Sequence, residues 1–336
     1  MFVKMKIAVV ILNWNGQKLL AQFLPTILKY SNLKNCSIYV VDNASTDTSV
    51  AFIQKNYTSV NIIQNTENGG YAKGYNDALK QIDADIFALV NSDVEVTKDW
   101  LKPIITAFET QKNTAIIQPK ILDYKRRDSF EYAGAAGGYI DKYGFPFCRG
   151  RIFDHLETDQ QQYDTDVDIF WASGACFFIR SEVFNELQFD EDYFAHQEEI
   201  DLCWSVKNKG FGIKYIHNST VYHIGGATLN ETNPKKTYLN FRNSLFNLTK
   251  HVPLRFLFQV LFIRLVQDGI AAIHFLIQKK PRHALAVLKS HMSFYFNLIK
   301  NLKKRTKSNN KKGNYYYIRS IVWNYFINGK KTFTKL

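Results

Sequence analysis

Ile86-Phe87-Ala88-Leu89-Val90-Asn91-Ser92-Asp93-Val94-Glu95 passes from an unbroken apolar run into two spaced carboxylates. It opens as a short apolar run with β-branched members, too short for a full helix, which predicts a buried strand. The run stops at Asn91-Ser92, and two carboxylates follow at alternate positions, Asp93 and Glu95. Acids at the end of a buried strand are costly unless a cation meets them. In an open α/β sheet the carboxyl ends of the strands are where ligands bind. Mg²⁺ or Mn²⁺ suits that position, because it takes one or two carboxylates and keeps sites for phosphate oxygens. A strand-end turn with solvated acids explains the same residues, so the flanking sequence has to decide.

The chain of 336 residues can bury a sizeable core, and its 46% hydrophobic and 15% aromatic content excludes a disordered protein. The four cysteines, Cys36, Cys148, Cys176 and Cys203, are scattered without a Cys-x-x-Cys pair and suit a reducing compartment. The N-terminal apolar run, residues 7–12, is too short for a signal-peptide core, so export is not expected. The net charge of +13 is unevenly placed: residues 236–336 carry 20 Lys and Arg against one acid, Asp268, and the rest of the chain is net acidic. An anionic membrane surface or a nucleic acid each accounts for such a basic third.

Residues 7–12 read as a central parallel strand, apolar on both faces. Asn13-Trp14-Asn15-Gly16 then turns into a helical pattern of Leu19, Leu20, Phe23, Leu24 and Ile27. A second strand, residues 37–41, is closed by Asp42 and followed by small polar residues suited to a helix start. Asp42 is placed either to accept hydrogen bonds from a nucleoside or simply to make a turn. A third strand near residues 60–63 runs into Asn68-Gly69-Gly70-Tyr71-Ala72-Lys73-Gly74-Tyr75-Asn76. Its three glycines let backbone approach a ligand, and the helix that follows can point its N-terminus at phosphate. The segment matches neither the dinucleotide fingerprint nor the P-loop. Strands alternating with helices give a doubly wound α/β half.

Taken in order, Val41-Asp42-Asn43-Ala44-Ser45, the segment from Asn68 to Asn76, and Asn91-Ser92-Asp93-Val94-Glu95 resemble family 2 glycosyltransferases of the bacterial rhamnosyltransferase and cell-surface polysaccharide type. The resemblance covers roughly residues 5–225. It implies a GT-A fold, a Rossmann-like mixed α/β sheet that binds a nucleoside-diphosphate sugar and a divalent metal. It places Asn13, Asp42, Asn68, Gly70, Lys73, Asn76 and Ser92 on the nucleotide sugar. Asp93 becomes a metal ligand with Glu95, which stands where an Asp is common.

Residues 123–168 are rich in Gly, Tyr and Asp and contain Arg149-Gly150-Arg151, either a bidentate phosphate clamp or part of a solvated loop. In Phe170-Trp171-Ala172-Ser173-Gly174-Ala175-Cys176 small residues interrupt an apolar strand, a sign of close ligand approach. The resemblance puts this segment on the acceptor side, with Trp171 stacking on a sugar or serving as core. From Glu198 a helix follows, with Ile200, Cys203 and Trp204 on one face and Gly210 as its stop. Glu198 and Asp201 share a face, with Glu199 about 100° around the axis. Glu198-Glu199-Ile200-Asp201-Leu202-Cys203 resembles the family's Glu-Asp-x-Asp-Leu-Cys segment, which implies Glu199 as catalytic base among Glu198, Glu199 and Asp201. His223 matches a histidine that completes the metal site in the family. Residues 225–237 read as a loop closing over the donor.

From Leu254 to Ile277 the chain is strongly apolar, with Leu254, Phe258, Leu261, Phe262, Leu265, Ala272 and Leu276 in one stripe and the polar residues on the remaining arc. Spanning a bilayer would put Arg264 and Asp268 near its middle at about 2.5–3.5 kcal/mol each, whereas lying in the interface avoids that. A second amphipathic segment follows Pro281. Lys303-Lys304-Arg305-Thr306-Lys307 with Lys311-Lys312 then adds a polybasic run suited to anionic lipid.

The expectation is a catalytic region, residues 1–235, whose donor half is about 1–100 and acceptor half about 101–235. Residues 236–336 form a basic, amphipathic helical extension on the cytoplasmic face of the inner membrane. The activity expected is inverting, metal-dependent transfer from a nucleoside-diphosphate sugar to a lipid-linked or saccharide acceptor, with no nucleic acid as partner. A nucleotide-sugar-binding protein without turnover and a basic-tailed nucleic-acid-binding protein are the alternatives.

Overall fold

The computed structural model describes residues 5–225, 233–305 and 315–336. The chain opens with β1 (Ile7–Asn13), α1 (Gln17–Tyr30), β2 (Cys36–Asp42), α2 (Ser49–Asn56), β3 (Asn61–Gln64), α3 (Gly70–Leu79) and β4 (Ile86–Asn91). These are the alternating strands and helices that the apolar runs predict. Next come β5 (Val94–Val96), α4 (Leu101–Thr110) and β6 (Thr114–Asp123). Four short strands, β7 (Gly138–Ile140), β8 (Pro146–Cys148), β9 (Arg151–Ile152) and β10 (His155–Leu156), make a separate small antiparallel sheet. The α/β part of the chain closes with β11 (Val167–Asp168), β12 (Cys176–Arg180), α5 (Ser181–Leu187), α6 (Glu198–Lys209) and β13 (Gly212–His223).

The main sheet runs β11-β13-β6-β12-β4-β1-β2-β3, with β5 pairing β13. β3, β2, β1 and β4 are parallel neighbours, while β12 is antiparallel to both β4 and β6. Successive residues of β1 and β4 go to opposite faces, which is why both strands read as unbroken apolar runs. Val9, Ile11, Ala88 and Val90 pack with α1 and α4, whereas Val10, Phe87 and Leu89 pack with α3 and α6. Between Gly210 and residue 225 the chain forms one long strand, β13, whose pairing with β6 shifts register between Ile216 and Thr220.

Three long helices follow: α7 (Pro234–His251), α8 (Leu254–Ile277) and α9 (Pro281–Lys303). A short α10 (Ile321–Phe326) lies near the end. Alone among the described residues, α8 is long and apolar enough to cross a membrane. Its polar arc does not face water as the stripe suggested. Arg264 and Asp268 are buried against the protein: Arg264 Nε meets Asp268 Oδ1 at 2.7 Å, and its guanidinium also donates to Ser244 Oγ and stacks on Phe145. Phe258, Phe262, Ile270 and Ile273 remain exposed on the opposite arc. Part of the polybasic run is likewise engaged by the protein. Lys304 pairs with Asp190 and Asp192, and Arg305 donates to the carbonyls of Thr249 and Val252. Residues 306–314, with Lys307, Lys311 and Lys312, lie outside the described residues, as do 226–232 of the expected closing loop.

The chain's last described segment folds back on the small sheet. Ile318 bridges to Asp141, and the buried Asp141 carboxylate accepts the amides of Ile321, Tyr143 and Phe145.

Candidate active site

Strand register gathers the site. Asn13 stands opposite Asp42, and Leu12 opposite Asn91, so the carboxyl ends of β1, β2 and β4 open on one edge of the sheet. Asn13 Nδ2 donates to Asp42 Oδ1 (3.1 Å) and Ser45 Oγ (3.3 Å), while its buried Oδ1 has no partner among the described residues. The Ser45 amide donates to Asp42 Oδ2 (2.9 Å). Asn43, which the sequence did not single out, ties this edge to the next loop: its Nδ2 donates to Asn68 Oδ1 and the Gly70 carbonyl, both at 3.0 Å. Asn68 Oδ1 also takes the Gly70 amide. Gly70 has φ +80°, and a Cβ there would come 2.3 Å from the Phe194 carbonyl oxygen, so this position requires glycine. Ser92 lies beside Gly16 in the same edge.

Two expected donor contacts are engaged elsewhere. Asn76 is buried, donating to the Phe189 carbonyl (2.9 Å) and accepting the Phe189 amide (3.0 Å), so it holds two backbone segments together. Lys73 pairs with Asp77 along α3.

Asp93 lies just past β4 with its carboxylate buried. His223, at the end of β13, places Nε2 3.1 Å from Asp93 Oδ1 and Nδ1 3.1 Å from Glu131 Oε1. Burial works against charge on the imidazole, but Glu131 and Asp93 outweigh it and push its pKa up to about 10. Glu131 was missed, because it lies in the Gly-rich segment that carries no periodic pattern. Glu95 is not part of this group. It stands opposite Tyr222 in the β5–β13 ladder while Val94 stands opposite His223, so alternation turns Glu95 to the other face, where it pairs with Arg127 at 2.8 Å.

Among the described residues, no three acid, imidazole or thiol groups already surround a common point. The donor types at Asp93 and His223 nevertheless fit a divalent cation. Their 3.1 Å separation is that of neighbouring donors in a six-coordinate shell, about 3 Å. Glu131 on the other ring nitrogen would orient the imidazole.

On the far side of the edge, α6 begins with Glu198 and Glu199. Three of the four residues before it, Phe194, His196 and Gln197, are left-handed without being glycine (φ 63°, 68° and 73°), strain that marks a tightly determined segment. Glu198 is buried, its Oε2 without a partner among the described residues, and burial together with Glu199 raises its pKa well above the carboxylate range. Glu199 is half-buried, and burial pushes it up to about 7 against the helix-start amides that lower it. Tyr71 Oη donates to the Gly174 carbonyl (2.9 Å). A Cβ on Gly174 would lie 3.9 Å from the Glu199 carboxyl carbon, so glycine keeps the space beside Glu199 open.

Asp201 is a structural acid rather than a candidate base. It is buried among Lys250 Nζ (2.6 Å), His251 Nε2 (2.7 Å) and Tyr193 Oη (3.2 Å). Burial would raise its pKa, yet Lys250 and His251 hold it far below the usual range. Three residues along α6, Trp204 stacks with both His251 and Tyr315, each at 5.1 Å. Trp171 is core: it is buried under Gly138, with Nε1 donating to the Tyr139 carbonyl (2.9 Å). Ser173 bonds the Ala133 carbonyl and, through its amide, Gln118. Of the two arginines, Arg149 is buried over the Tyr163 and Tyr215 rings and is not available to a ligand. Arg151 lies 3.3 Å from the Tyr132 ring centroid, half-buried beside the Glu131 turn.

The family model described as glycosyl transferase family 2 matches residues 8–188. An N-acetylglucosaminyl-diphospho-decaprenol L-rhamnosyltransferase of Mycobacterium tuberculosis is 24% identical over 223 residues, 61% of this chain and 71% of that protein. The poly(ribitol-phosphate) beta-N-acetylglucosaminyltransferase TarS of Staphylococcus aureus is 30% identical over 102 residues, 29% of this chain and 18% of TarS. In fold, TarS 1–349 in complex with UDP-GlcNAc aligns with a TM-score of 0.55 at 16% identity, covering 89% of this chain and 91% of that one. The mannosyltransferase PcManGT of Pyrobaculum calidifontis, in complex with GDP-Man and Mn²⁺, aligns with a TM-score of 0.55 at 10% identity over 88% of each chain. Matched over more than half its length by the family model, this GT-A chain belongs to glycosyl transferase family 2 and is a glycosyltransferase.

Proposed function

We propose that the chain moves a sugar from a nucleoside-diphosphate sugar to an acceptor hydroxyl with inversion, using Mg²⁺ or Mn²⁺, at a membrane surface. The observation that carries this reading is the placement of half-buried Glu199, with open space beside Gly174, on the sheet edge that also holds Asp42 and the Asp93–His223–Glu131 chain. Asp42 and Asn13 fit the nucleoside, and the loop of Asn68 and Gly70 closes behind it. Asp93 and His223 would hold the cation, which supplies positive charge to the departing diphosphate when bound.

Glu199 accepts the acceptor's hydroxyl proton as that oxygen bonds to the anomeric carbon. The bond from that carbon to the diphosphate oxygen breaks, and its electron pair leaves with the diphosphate. Glu199 acting as a single base fits a single displacement, hence inversion. Burial raises the pKa of Glu198 and so favours its neutral form, which suits Glu199 better as the base.

Residues 1–235 would be the catalytic region and 236–336 the membrane-associating one, joined through the contacts of Asp201 with Lys250 and His251 of α7. The exposed apolar arc of α8 supports a peripheral position on a cytoplasmic membrane face, and the tie from Arg264 and Asp268 to the protein favours lying on the surface over spanning. A lipid-linked acceptor agrees with the name of the mycobacterial relative. A thermal-shift screen of nucleotide sugars with Mn²⁺ or Mg²⁺, followed by release of nucleoside diphosphate, tests the reading. Absence of stabilisation by every nucleotide sugar with either cation would remove it.

A further inference from the structure

The left-handed backbone that leads into α6 persists only where its surroundings fix it, and the fixing groups come from α7. Asn243 is wholly buried, and its Nδ2 donates to the carbonyls of Tyr193 (3.1 Å), Ala195 (3.0 Å) and His196 (2.7 Å). A side-chain amide has two hydrogens, so one of them is shared among these three acceptors. The amide oxygen faces the other way. Arg242 Nε donates to Asn243 Oδ1 (2.9 Å), and the same guanidinium donates to the Asp192 and Tyr193 carbonyls (3.0 and 3.1 Å). One turn along α7, Asn247 Oδ1 takes the Tyr193 hydroxyl at 2.7 Å.

This grip reaches Glu199 through one peptide unit. A trans peptide is planar, with its carbonyl and its N–H pointing in opposite directions. The unit between His196 and Gln197 has its carbonyl on Asn243, at the shortest of the three distances. The other end of that unit, the Gln197 amide, stabilises the ionised Glu199 carboxyl against the effect of burial. Turning the plane would take the amide away from Glu199. It would also disturb the start of the helix, because the Gln197 carbonyl accepts the Asp201 amide at 3.0 Å. The same segment meets the donor side, where the Phe194 carbonyl takes the Tyr71 amide at 2.9 Å.

We propose that Asn243 is a positioning residue for sugar transfer: by holding the His196–Gln197 peptide plane it aims Glu199 at the acceptor hydroxyl. The proposal rests on the reading of Glu199 as the base. Asn243 lies beyond residue 235, so the first helix of the C-terminal extension completes a site that the α/β part begins.

The test titrates the Glu199 carboxyl by NMR in the full chain with isotope-labelled glutamate, its resonance identified by its loss in E199Q. N243L keeps roughly the same volume and adds no charge. It should move the titration to higher pH by about one pH unit, the loss of one amide contact to a charged group. The titratable groups near Glu199, namely Glu198, Tyr71, Cys148 and Cys203, are the same in both proteins. N243L should also lower kcat by about tenfold to a hundredfold with the donor KM nearly unchanged. Turnover is read as nucleoside diphosphate release, with water as acceptor, from the nucleotide sugar that most stabilises the protein in the screen above. Ile104→Ala, a core change on α4, should lower stability and leave the titration in place. R242K keeps the charge but not the planar fork that orients the amide, so it should act like N243L with a smaller shift. An unmoved titration or an unchanged kcat in folded N243L, or in R242K where N243L does not fold, overturns the positioning role. An equal fall in kcat when N243L is added to E199Q overturns it too, since a residue acting through Glu199 has nothing further to lose there. Normal turnover by E199Q removes the base reading itself, and the proposal with it, so the two fail distinguishably.

Discussion

Glu199→Gln separates catalysis from stability in opposite directions. The amide keeps the size of the side chain and removes its basicity. If Glu199 is the base, kcat falls about 10²–10⁴-fold with donor affinity nearly unchanged. The structure also sets a stability effect. Burial lifts the Glu199 carboxyl from 4.5 to about 7, so the folded chain keeps a proton there that the unfolded chain has already lost. Wild-type stability therefore declines as pH rises from about 4.5 to 7. The difference corresponds to about 3 kcal/mol at 1.36 kcal/mol per decade. Solvent at the open side of this half-buried group screens it to about 2 kcal/mol. Glu198 shifts the same way, in part because of Glu199, and losing that part in the variant acts in the same direction. Glu199→Gln should thus be more stable than wild type by about 2 kcal/mol above pH 7 and match it near pH 4. Urea unfolding across that pH range, beside nucleoside diphosphate release, measures both effects. A variant that turns over normally, or that is less stable than wild type at pH 8, would refute the reasoning.

Asp93→Ala should abolish Mn²⁺-dependent binding of a nucleoside diphosphate in calorimetry while the fold persists, because the carboxylate serves ligand rather than core. Unchanged affinity would take Asp93 out of the metal site. Asp201→Asn should lower stability by about 3–5 kcal/mol, since it leaves Lys250 and His251 without their buried acid. The contribution it removes is full above the ordinary carboxylate range and declines as pH falls below it, so the deficit should be largest at neutral pH in denaturant titrations. Phe258→Glu with Ile273→Glu should stop the protein floating with anionic liposomes without altering its circular dichroism. Flotation by that variant would place membrane contact elsewhere.

What the sequence discloses here is what depends on neighbours in the chain. The apolar runs 7–12 and 86–90 predict strands because both faces of β1 and β4 are covered, and the acids that close β2 and β4 predict the ligand edge. What it conceals depends on partners far along the chain. Asn76 shares its segment with Asn68 and Gly70, yet its side chain is committed to Phe189, more than a hundred residues away. Glu95 follows Asp93 by two positions, but pairing with β13 turns it toward Arg127. Glu131 had no local signal at all, since only the meeting of its turn with the end of β13 gives it a role. In α8 the helical period separates the two arcs correctly, but hydropathy does not say which arc meets protein. The polar arc does, because Tyr143, Ser244 and His291 satisfy Arg264 and Asp268.

The stack of His251, Trp204 and Tyr315, with Ile321 sealed onto Asp141, orders events during synthesis. A ribosome delivers residues 1–225 first, then the apolar helices, and only afterwards the segment that begins at Tyr315. The helix that carries Glu199 thus receives its final brace after α8 and α9 have left the exit tunnel. On the proposed membrane-surface reading, the brace on the helix of Glu199 is therefore completed last, once α8 is already free to meet lipid.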